Sequence, residues 1–260
     1  MCKCAICGTQ TKEAFRATVL KKYEAVYNRC GACGFLQAEK PHWLDEAYSD
    51  AIATADTGLV QRNFSIAAKL APMLYFGMDP KGTYVDAAGG YGMLVRLMRD
   101  FGFEFFWEDR YCQNILAKGY ESEKVSGPVK GITAFEVMEH LLDPLDFVSE
   151  QMTKFNTRTM IFTTELYVGE HSPTKDWWYF AFPTGQHISF FQEKTLYEMA
   201  KKLGTRYYQL AGMHIFSDQP VRNYSALTLV KNKLLMLSSL YVKRQLGSKT
   251  MTDHFEQLSK

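Results

Sequence analysis

The chain lacks two features that mark large classes of proteins: long apolar runs and an excess of one charge. The longest apolar run near the C-terminus, residues 234–242, contains two serines and is too short to span a bilayer. The first residues, from Met1 to Cys4, show no signal-peptide hydrophobic region. The net charge of +2 gives no support to a nucleic-acid or anionic-membrane partner. We therefore expect a cytoplasmic protein with no membrane span and no nucleic-acid partner.

Internal repeats and low-complexity tracts are also absent from the sequence. The 260 residues, of which 47% are hydrophobic, are enough for one full α/β domain and a small additional module. We divide the chain into a zinc-binding module over 1–37, a helical linker or cap over 38–80, an α/β domain over 81–232 and a C-terminal helical tail over 233–260.

Cysteine is concentrated at one end, since five of the six cysteines lie within the first 33 residues. Cys4 and Cys7 form one C-x-x-C knuckle, and Cys30 and Cys33 form a second. Two such knuckles can place four thiolates at the corners of a tetrahedron, which suits zinc. Short strands over 18–27 would complete a zinc ribbon. Four thiolates leave no open position for a substrate, so we predict a structural zinc.

Strand and helix patterns alternate from residue 83 onward, which is typical of a parallel, doubly wound sheet. The predicted strands are 83–87, 103–108, 129–135 and 159–164, and the predicted helices are 92–101, 112–118, one starting near Pro144, and 193–203. Two further strands, near 206–215 and 224–230, are expected to form a hairpin-like pair that adds an antiparallel strand at one edge.

A glycine-rich turn follows the first strand of this α/β region. Asp86 ends the strand, Gly89, Gly90 and Gly92 follow, and a predicted helix begins at once. Glycines let a ligand approach the backbone, and the free N–H groups of a helix N-terminus attract polar ligands. Asp109, about twenty residues further on, is typical of an acid that accepts hydrogen bonds from a ribose. Nicotinamide-dependent oxidoreductases and methyltransferases share this layout.

Two histidines are candidate general bases. The run Glu136-Val-Met-Glu-His140 follows a predicted strand, and ligands of open α/β sheets bind beyond such strand ends. His187 lies in an aromatic loop over 176–191 that is too long for a plain connection. Its imidazole titrates near neutrality, so we expect His187 to act as the base and His140 to be its competitor. Trp177 and Trp178 of the same loop could form a sugar-stacking face.

The segments 86–92, 133–144 and 185–191 together resemble class I S-adenosylmethionine (SAM)-dependent methyltransferases. They are most similar to the branch with an N-terminal zinc-binding module that is found in sugar and polysaccharide gene clusters. This resemblance implies a Rossmann-like fold with a mostly parallel, seven-stranded sheet that has one antiparallel strand, next to a small zinc ribbon.

The resemblance also implies roles for individual residues. The backbone of the turn would hold the methionine part of SAM, Asp109 would bind the ribose, and Asp86 would hold the turn or reach the SAM amino group through water. The implied cofactor-binding residues are Asp86, Ala88, Gly89, Gly90, Gly92, Asp109, Phe135 and Glu136.

The expected acceptor is a sugar or a nucleotide-linked sugar. Related sugar C-methyltransferases carry Tyr-x-Glu-His in the aromatic loop, whereas this chain has Thr184-Gly185-Gln186-His187. Removing a proton from carbon demands more of a base than removing one from a hydroxyl, so we favour O-methylation. Two other functions stay open at this point: a nicotinamide-dependent oxidoreductase, and a non-catalytic protein whose zinc ribbon holds RNA or a partner.

Overall fold

The protein, seen in a computed structural model, is described over residues 2–48 and 56–259. The predicted linker over 38–80 therefore includes a stretch, 49–55, outside the described residues. The strands are β1 (Thr11–Val19), β2 (Tyr23–Cys30), β3 (Leu36–Ala38), β4 (Thr83–Ala87), β5 (Glu104–Glu108), β6 (Val129–Ala134), β7 (Met160–Phe162), β8 (Ser189–Phe190), β9 (Arg206–Leu210) and β10 (Met213–Ser217). The α-helices are α1 (Leu44–Ala47), α2 (Leu59–Gly77), α3 (Met93–Asp100), α4 (Pro144–Lys154), α5 (Glu193–Leu203), α6 (Tyr224–Leu229), α7 (Asn232–Leu246) and α8 (Thr250–Leu258).

The central sheet has the order β5-β4-β6-β7-β10-β9. Strands β5, β4, β6 and β7 are parallel to one another, and β10 runs antiparallel to both β7 and β9. The α/β class and the single antiparallel strand are as expected. Within the described ranges the sheet has six strands rather than seven. Beside β5, a parallel bridge between Trp107 and Glu121 stands where a further strand could pair.

The antiparallel pair at the sheet edge differs from the predicted one. Strands β9 and β10 form a tight hairpin whose two turn residues, Ala211 and Gly212, have φ values of 55° and 81°. Two successive positive φ values are the geometry that matches the twist of hairpin strands. The predicted strand near 224–230 is wrong, because Tyr224–Leu229 is the helix α6.

The predicted helix over 112–118 is also absent, and this segment forms irregular turns. Side chains form hydrogen bonds with backbone groups that a helix would pair with each other. The Asp109 carboxylate accepts hydrogen bonds from the N–H groups of Tyr111 and Cys112, both at 2.7 Å. The Asn114 side chain bonds both the N–H and the carbonyl of Ala117 at 2.9 Å. Such local side-chain bonds compete with helix formation.

Helices cover both faces of the central sheet because its strands are apolar on both sides. On one face Ile161 and Ile215 pack with residues of α2, α3 and α7. On the other face Met160 and Phe162 pack with α4, α5 and the cysteine-bearing loops. No helix in the described part of the chain is long and apolar enough to cross a membrane.

A second sheet has the order β1-β2-β3-β8, and all its pairings are antiparallel. The first three strands come from the N-terminal module, whereas β8 comes from the aromatic loop more than 150 residues later. Aromatic side chains of this loop fill the core beside the sheet, and Phe180 stacks on Phe182 with ring centroids 4.9 Å apart. The loop is therefore packed on the N-terminal sheet.

A buried ion pair fastens the last helix to the central domain. The guanidinium of Arg99 on α3 donates from Nε and Nη2 to the two carboxylate oxygens of Asp253 on α8, both at 2.8 Å. The Arg99 and Asp253 side chains are only 3% and 5% exposed. A paired buried charge is tolerated, but removing one partner leaves the other charge buried without full compensation.

We predict that Asp253→Ala lowers the free energy of unfolding by about 3 kcal/mol, measured by urea denaturation. Glu13→Ala is the matched control, because Glu13 and Arg16 form an exposed pair, and its loss should cost less than about 1 kcal/mol. Equal, small effects of the two substitutions would contradict this account of the Arg99 contact.

Candidate active site

The glycine-rich turn lies between β4 and α3, as predicted. Gly92 has a φ of +87°, and a Cβ there would lie 2.9 Å from the Asn114 side chain. Gly90 has a φ of +54°, and a Cβ built on it would meet no atom of the described residues within 4 Å. Among residues 2–48 and 56–259, the backbone at Gly90 therefore faces open space. The first N–H groups of α3 border the same space, and no side chain in these ranges caps them.

Asp86 is buried beneath this turn. Its Oδ1 accepts a hydrogen bond from the Thr133 hydroxyl on the neighbouring strand, and its Oδ2 would lie 2.9 Å from a Cβ on Gly89. Burial raises the pKa of Asp86 to about 7, against the lowering effect of the Thr133 bond. The Asp86 carboxylate thus lies directly beneath Gly89 and is bonded to β6, and its two expected roles, holding the turn and reaching the SAM amino group through water, stay predictions.

Asp109 makes more contacts than the sequence suggested. Its Oδ2 accepts a hydrogen bond from the Gly90 N–H at 2.9 Å, while its Oδ1 accepts the bonds from Tyr111 and Cys112. A carboxylate has about four acceptor positions, so three backbone bonds leave limited capacity for a ligand. Asp109 therefore fixes the glycine-rich turn against the loop after β5 and borders the same open space.

Phe135 and Glu136 follow β6 directly. Phe135 is half-buried against the core, and Glu136 has a φ of +56°, an uncommon conformation for a residue with a side chain. Thr163 holds Glu136 by donating its hydroxyl to the carboxylate at 2.8 Å and accepting the Glu136 N–H at 3.1 Å. Arg62 on α2 pairs with the same carboxylate at 3.4 Å and with Asp56 at 2.8 Å.

No pattern in the sequence assigned a role to Arg62 or Thr163. Their partner Glu136 was a candidate because it directly follows a predicted strand. A basic side chain at the start of an amphipathic helix carries no signal of its own, since such residues are common on exposed helix faces.

His140 and His187, predicted as rival bases, lie in one cluster with Glu139. One potential ligand atom from each of the three side chains lies within 4.8 Å of the others. The two imidazole rings meet edge to face, with centroids 4.9 Å apart. A 3-10 turn, Met138–His140, carries Glu139 and His140, and His187 comes from the aromatic loop just before β8. The fold therefore brings together His140 and His187, which have 46 residues between them in the sequence.

Backbone carbonyls orient both rings. His187 Nδ1 lies 2.7 Å from the Tyr179 carbonyl oxygen, and His140 Nδ1 lies 3.1 Å from the Gln186 carbonyl oxygen. A carbonyl oxygen only accepts, so His187 Nδ1 carries the proton and the neutral His187 ring keeps its lone pair on Nε2. His140 Nδ1 also lies 2.9 Å from the Tyr48 hydroxyl, which can donate or accept, so the contacts of His140 are compatible with either tautomer. Burial lowers the pKa of both histidines and so favours their neutral forms. Each ring is therefore a potential proton acceptor or metal ligand.

Glu139 is fully buried between these rings, with 0% of its surface exposed. Neither carboxylate oxygen has a hydrogen-bond partner among the residues that the structure describes. Burial, reinforced by the negative charge of Glu136, raises the pKa of Glu139 to about 7. A buried polar group without a partner is uncommon in folded proteins, so Glu139 is a candidate ligand-binding residue.

Close packing on the N-terminal sheet positions His187. Gly185 has a φ of +68°, and a Cβ there would lie 2.9 Å from Val19 on β1. The Trp43 indole donates to the Gly185 carbonyl at 2.8 Å. Of the two tryptophans expected to stack on a sugar, Trp177 packs against Phe180, whereas Trp178 is 73% exposed.

The four predicted cysteines converge at the end of the N-terminal sheet. The sulfur atoms of Cys4 and Cys33 are 3.6 Å apart, and those of Cys7 and Cys30 are 3.4 Å apart. All four sulfurs lie within 4.8 Å of one another. A zinc tetrahedron with bonds of about 2.3 Å has edges of about 3.8 Å, so this donor set fits zinc.

A family model described as a methyltransferase domain matches residues 60–210 of the chain. The matched span exceeds half of the sequence and runs from α2 to the end of β9. It contains the glycine-rich turn, the 3-10 turn with Glu139 and the aromatic loop with His187. No curated protein matches the sequence significantly.

Solved structures similar to the chain include TnmH, at 16% identity over 68% of this chain and 60% of that chain, with a TM-score of 0.48. The mitomycin 7-O-methyltransferase MmcR is similar at 15% identity over 67% and 59% of the two chains, with a TM-score of 0.46. The magnesium protoporphyrin IX methyltransferase of Synechocystis PCC 6803 with bound SAH is similar at 14% identity over 70% and 93%, with a TM-score of 0.41. The matched part thus spans about three fifths of TnmH and MmcR.

Proposed function

We propose that the chain, which belongs to the methyltransferase domain family, is a SAM-dependent enzyme that methylates a hydroxyl group of a sugar or sugar-linked small molecule. The observation that carries the proposal is the cluster of Glu139, His140 and His187 at the strand-end side of the central sheet. Family membership supports methyl transfer over the nicotinamide-dependent and non-catalytic alternatives.

In this proposal the space above Gly90 receives the methionine part of SAM. The position is suitable because a Cβ at Gly90 would have no neighbour within 4 Å in the described part of the chain, which leaves the backbone accessible to a ligand there. Ala88, Gly89 and Gly92 complete the turn, Asp109 faces the ribose, and Phe135 and Glu136 line the pocket. SAM supplies an electrophilic methyl group when it is bound.

The acceptor hydroxyl is proposed to lie at the Glu139, His140 and His187 cluster. The Nδ1 proton of His187 is fixed on the Tyr179 carbonyl, so the Nε2 lone pair of His187 is available to take part in deprotonation. The chain aligns the hydroxyl with the methyl group, which supplies much of the rate enhancement in such transfers. The exposed Trp178 offers a flat apolar surface on which a sugar ring could stack.

The four-cysteine cluster is proposed to hold a structural zinc. We expect about one zinc per chain by elemental analysis, with Cys33→Ser losing the metal and unfolding the N-terminal sheet, because binding and folding are coupled in such sites. Cys112→Ser is the matched control, since Cys112 lies outside the cluster and should leave the zinc content unchanged. Metal-free, folded protein with four freely titrating cysteines would contradict the assignment.

Asp109 is expected to matter for SAM affinity through the turn and through the ribose. Asp109→Ala removes charge-assisted hydrogen bonds worth about 1.5–3 kcal/mol each and should weaken SAM binding at least about tenfold in calorimetry. Asp146→Ala, at an exposed position on α4, should bind SAM as the wild type does. Wild-type affinity in Asp109→Ala would refute the role of Asp109.

His187 is expected to matter for turnover rather than for SAM binding. His187→Ala should lower the turnover rate by roughly a hundredfold or more and leave the SAM affinity close to that of the wild type, because the residue faces the acceptor. His171→Ala, which removes an exposed histidine, is the control. If His187→Ala keeps the full rate while His140→Ala loses it, the role passes to His140.

A further inference from the structure

We propose that Glu139, His140 and His187 together bind one divalent transition-metal ion, which takes its remaining ligands from oxygen atoms of the acceptor. The inference deepens the proposed function and rests on it only for the identity of those outer ligands. Two imidazoles and one carboxylate with ligand atoms within 4.8 Å of one another form a compact donor set. This set is separate from the four-cysteine cluster in position and in chemistry.

The carboxylate gives the first reason. Glu139 is 0% exposed, and both of its oxygens lack a hydrogen-bond partner within the described part of the chain. The nearby cation Arg62 directs its hydrogen bonds to Asp56. Burying a carboxylate without a partner costs several kcal/mol, whereas coordination to a cation removes that cost. A bound metal ion supplies the positive partner that Glu139 lacks.

The imidazoles give the second reason. Histidine ligands of metals commonly donate their other ring N–H to a carbonyl or carboxylate, which fixes the tautomer and the ring orientation. His187 has this arrangement, with Nδ1 2.7 Å from the Tyr179 carbonyl oxygen. His140 Nδ1 lies 3.1 Å from the Gln186 carbonyl oxygen and 2.9 Å from the Tyr48 hydroxyl, either of which can accept its proton. Each ring can therefore present Nε2 to an ion while its Nδ1 is held by a hydrogen bond.

The backbone gives the third reason, because it fixes the two segments relative to each other. The Ile188 N–H donates to the Glu139 carbonyl at 2.8 Å, and the Ser189 hydroxyl donates to the Leu141 carbonyl at 2.6 Å. The ligand-bearing turn and the aromatic loop are therefore joined immediately beside all three side chains. Precise metal sites need this kind of support.

The donor set defines the class of metal. Imidazole suits zinc, iron, nickel and copper, carboxylate suits harder ions, and a mixture of the two accepts ions such as Zn²⁺, Mn²⁺, Fe²⁺ and Co²⁺. Three protein ligands leave positions open, as in catalytic rather than structural sites. An acceptor with two adjacent hydroxyls, as sugars have, could fill two of them.

Such a cation would lower the pKa of a coordinated hydroxyl. The hydroxyl proton would pass to water, and the oxygen lone pair would form the new C–O bond. The methyl–sulfur bond would break with its electron pair remaining on sulfur, which yields S-adenosylhomocysteine. The two histidines would then act as ligands, and the loss of rate in His187→Ala would reflect loss of the ion.

Manganese is the probe that separates this site from the cysteine cluster, because Mn²⁺ favours oxygen and nitrogen donors over four thiolates. The purified full chain is titrated with Mn²⁺ without SAM or acceptor, and free Mn²⁺ is followed by electron paramagnetic resonance. We expect one bound Mn²⁺ per chain, with nitrogen couplings from histidine in the spin-echo spectrum. Glu139→Gln and His187→Ala should each weaken binding by about tenfold or more.

His171→Ala is the matched control and should bind Mn²⁺ as the wild type does. Glu139→Gln preserves the side-chain volume, and circular dichroism checks that both variants stay folded. Folded wild type without bound Mn²⁺ at millimolar concentrations, or wild-type binding in both folded variants, would overturn the metal site. Because the titration uses neither SAM nor acceptor, its result does not depend on the proposed methyl transfer, which fails separately if the wild type does not bind SAM.

Discussion

The short strand β8 connects the N-terminal sheet to the central domain beside Glu139, His140 and His187. Its residues pair with β3 of the N-terminal sheet, and its Ser189 side chain and the preceding Ile188 N–H bond the turn that follows β6. These few hydrogen bonds place His187 beside Glu139 and His140. The N-terminal module therefore supports the candidate active site directly, through a sheet whose fourth strand belongs to the aromatic loop.

A buried carboxylate is the common property of the glycine-rich turn and the histidine cluster. Asp86 beneath the glycine-rich turn and Glu139 beneath the aromatic loop are both carboxylates whose pKa is raised to about 7 by burial. Asp86 has a partner in Thr133, whereas Glu139 has none among the described residues. The difference distinguishes a carboxylate that supports the fold from one that is available to a ligand or an ion.

Local patterns in the sequence predicted the parts of the structure that depend on local chemistry. The glycine turn at 89–92, the helices starting at Pro144 and Glu193, and the convergence of the four cysteines follow from residue types at fixed spacing. The prediction of a helix over 112–118 was wrong because side-chain carboxylate and amide groups accept hydrogen bonds from the backbone N–H groups of this segment. The prediction of a strand near 224–230 was wrong because the hairpin lies earlier in the chain. Its turn is Ala211-Gly212, which lacks the Asn or Asp that is usual at such turns.

The pairing of His140 with His187 could not be predicted from the sequence, because an irregular loop has no periodicity that reports its path. Its course is decided by packing on the N-terminal sheet, including the fit of Gly185 against Val19. The contacts of Arg62 with Glu136 and of Asp109 with Gly90 could not be predicted either. Each joins residues distant in sequence, and each depends on side-chain geometry that no sequence pattern reports.

The central claim is that the glycine-rich turn and the Glu139, His140 and His187 cluster face one shared ligand space. A crystal structure of the full chain with S-adenosylhomocysteine tests it most directly. The account predicts a ribose beside Asp109, the amino-acid part over Gly90 and the sulfur turned toward His187. A cofactor bound elsewhere, or one whose sulfur is separated from the cluster by the Arg62–Glu136 pair, would contradict it.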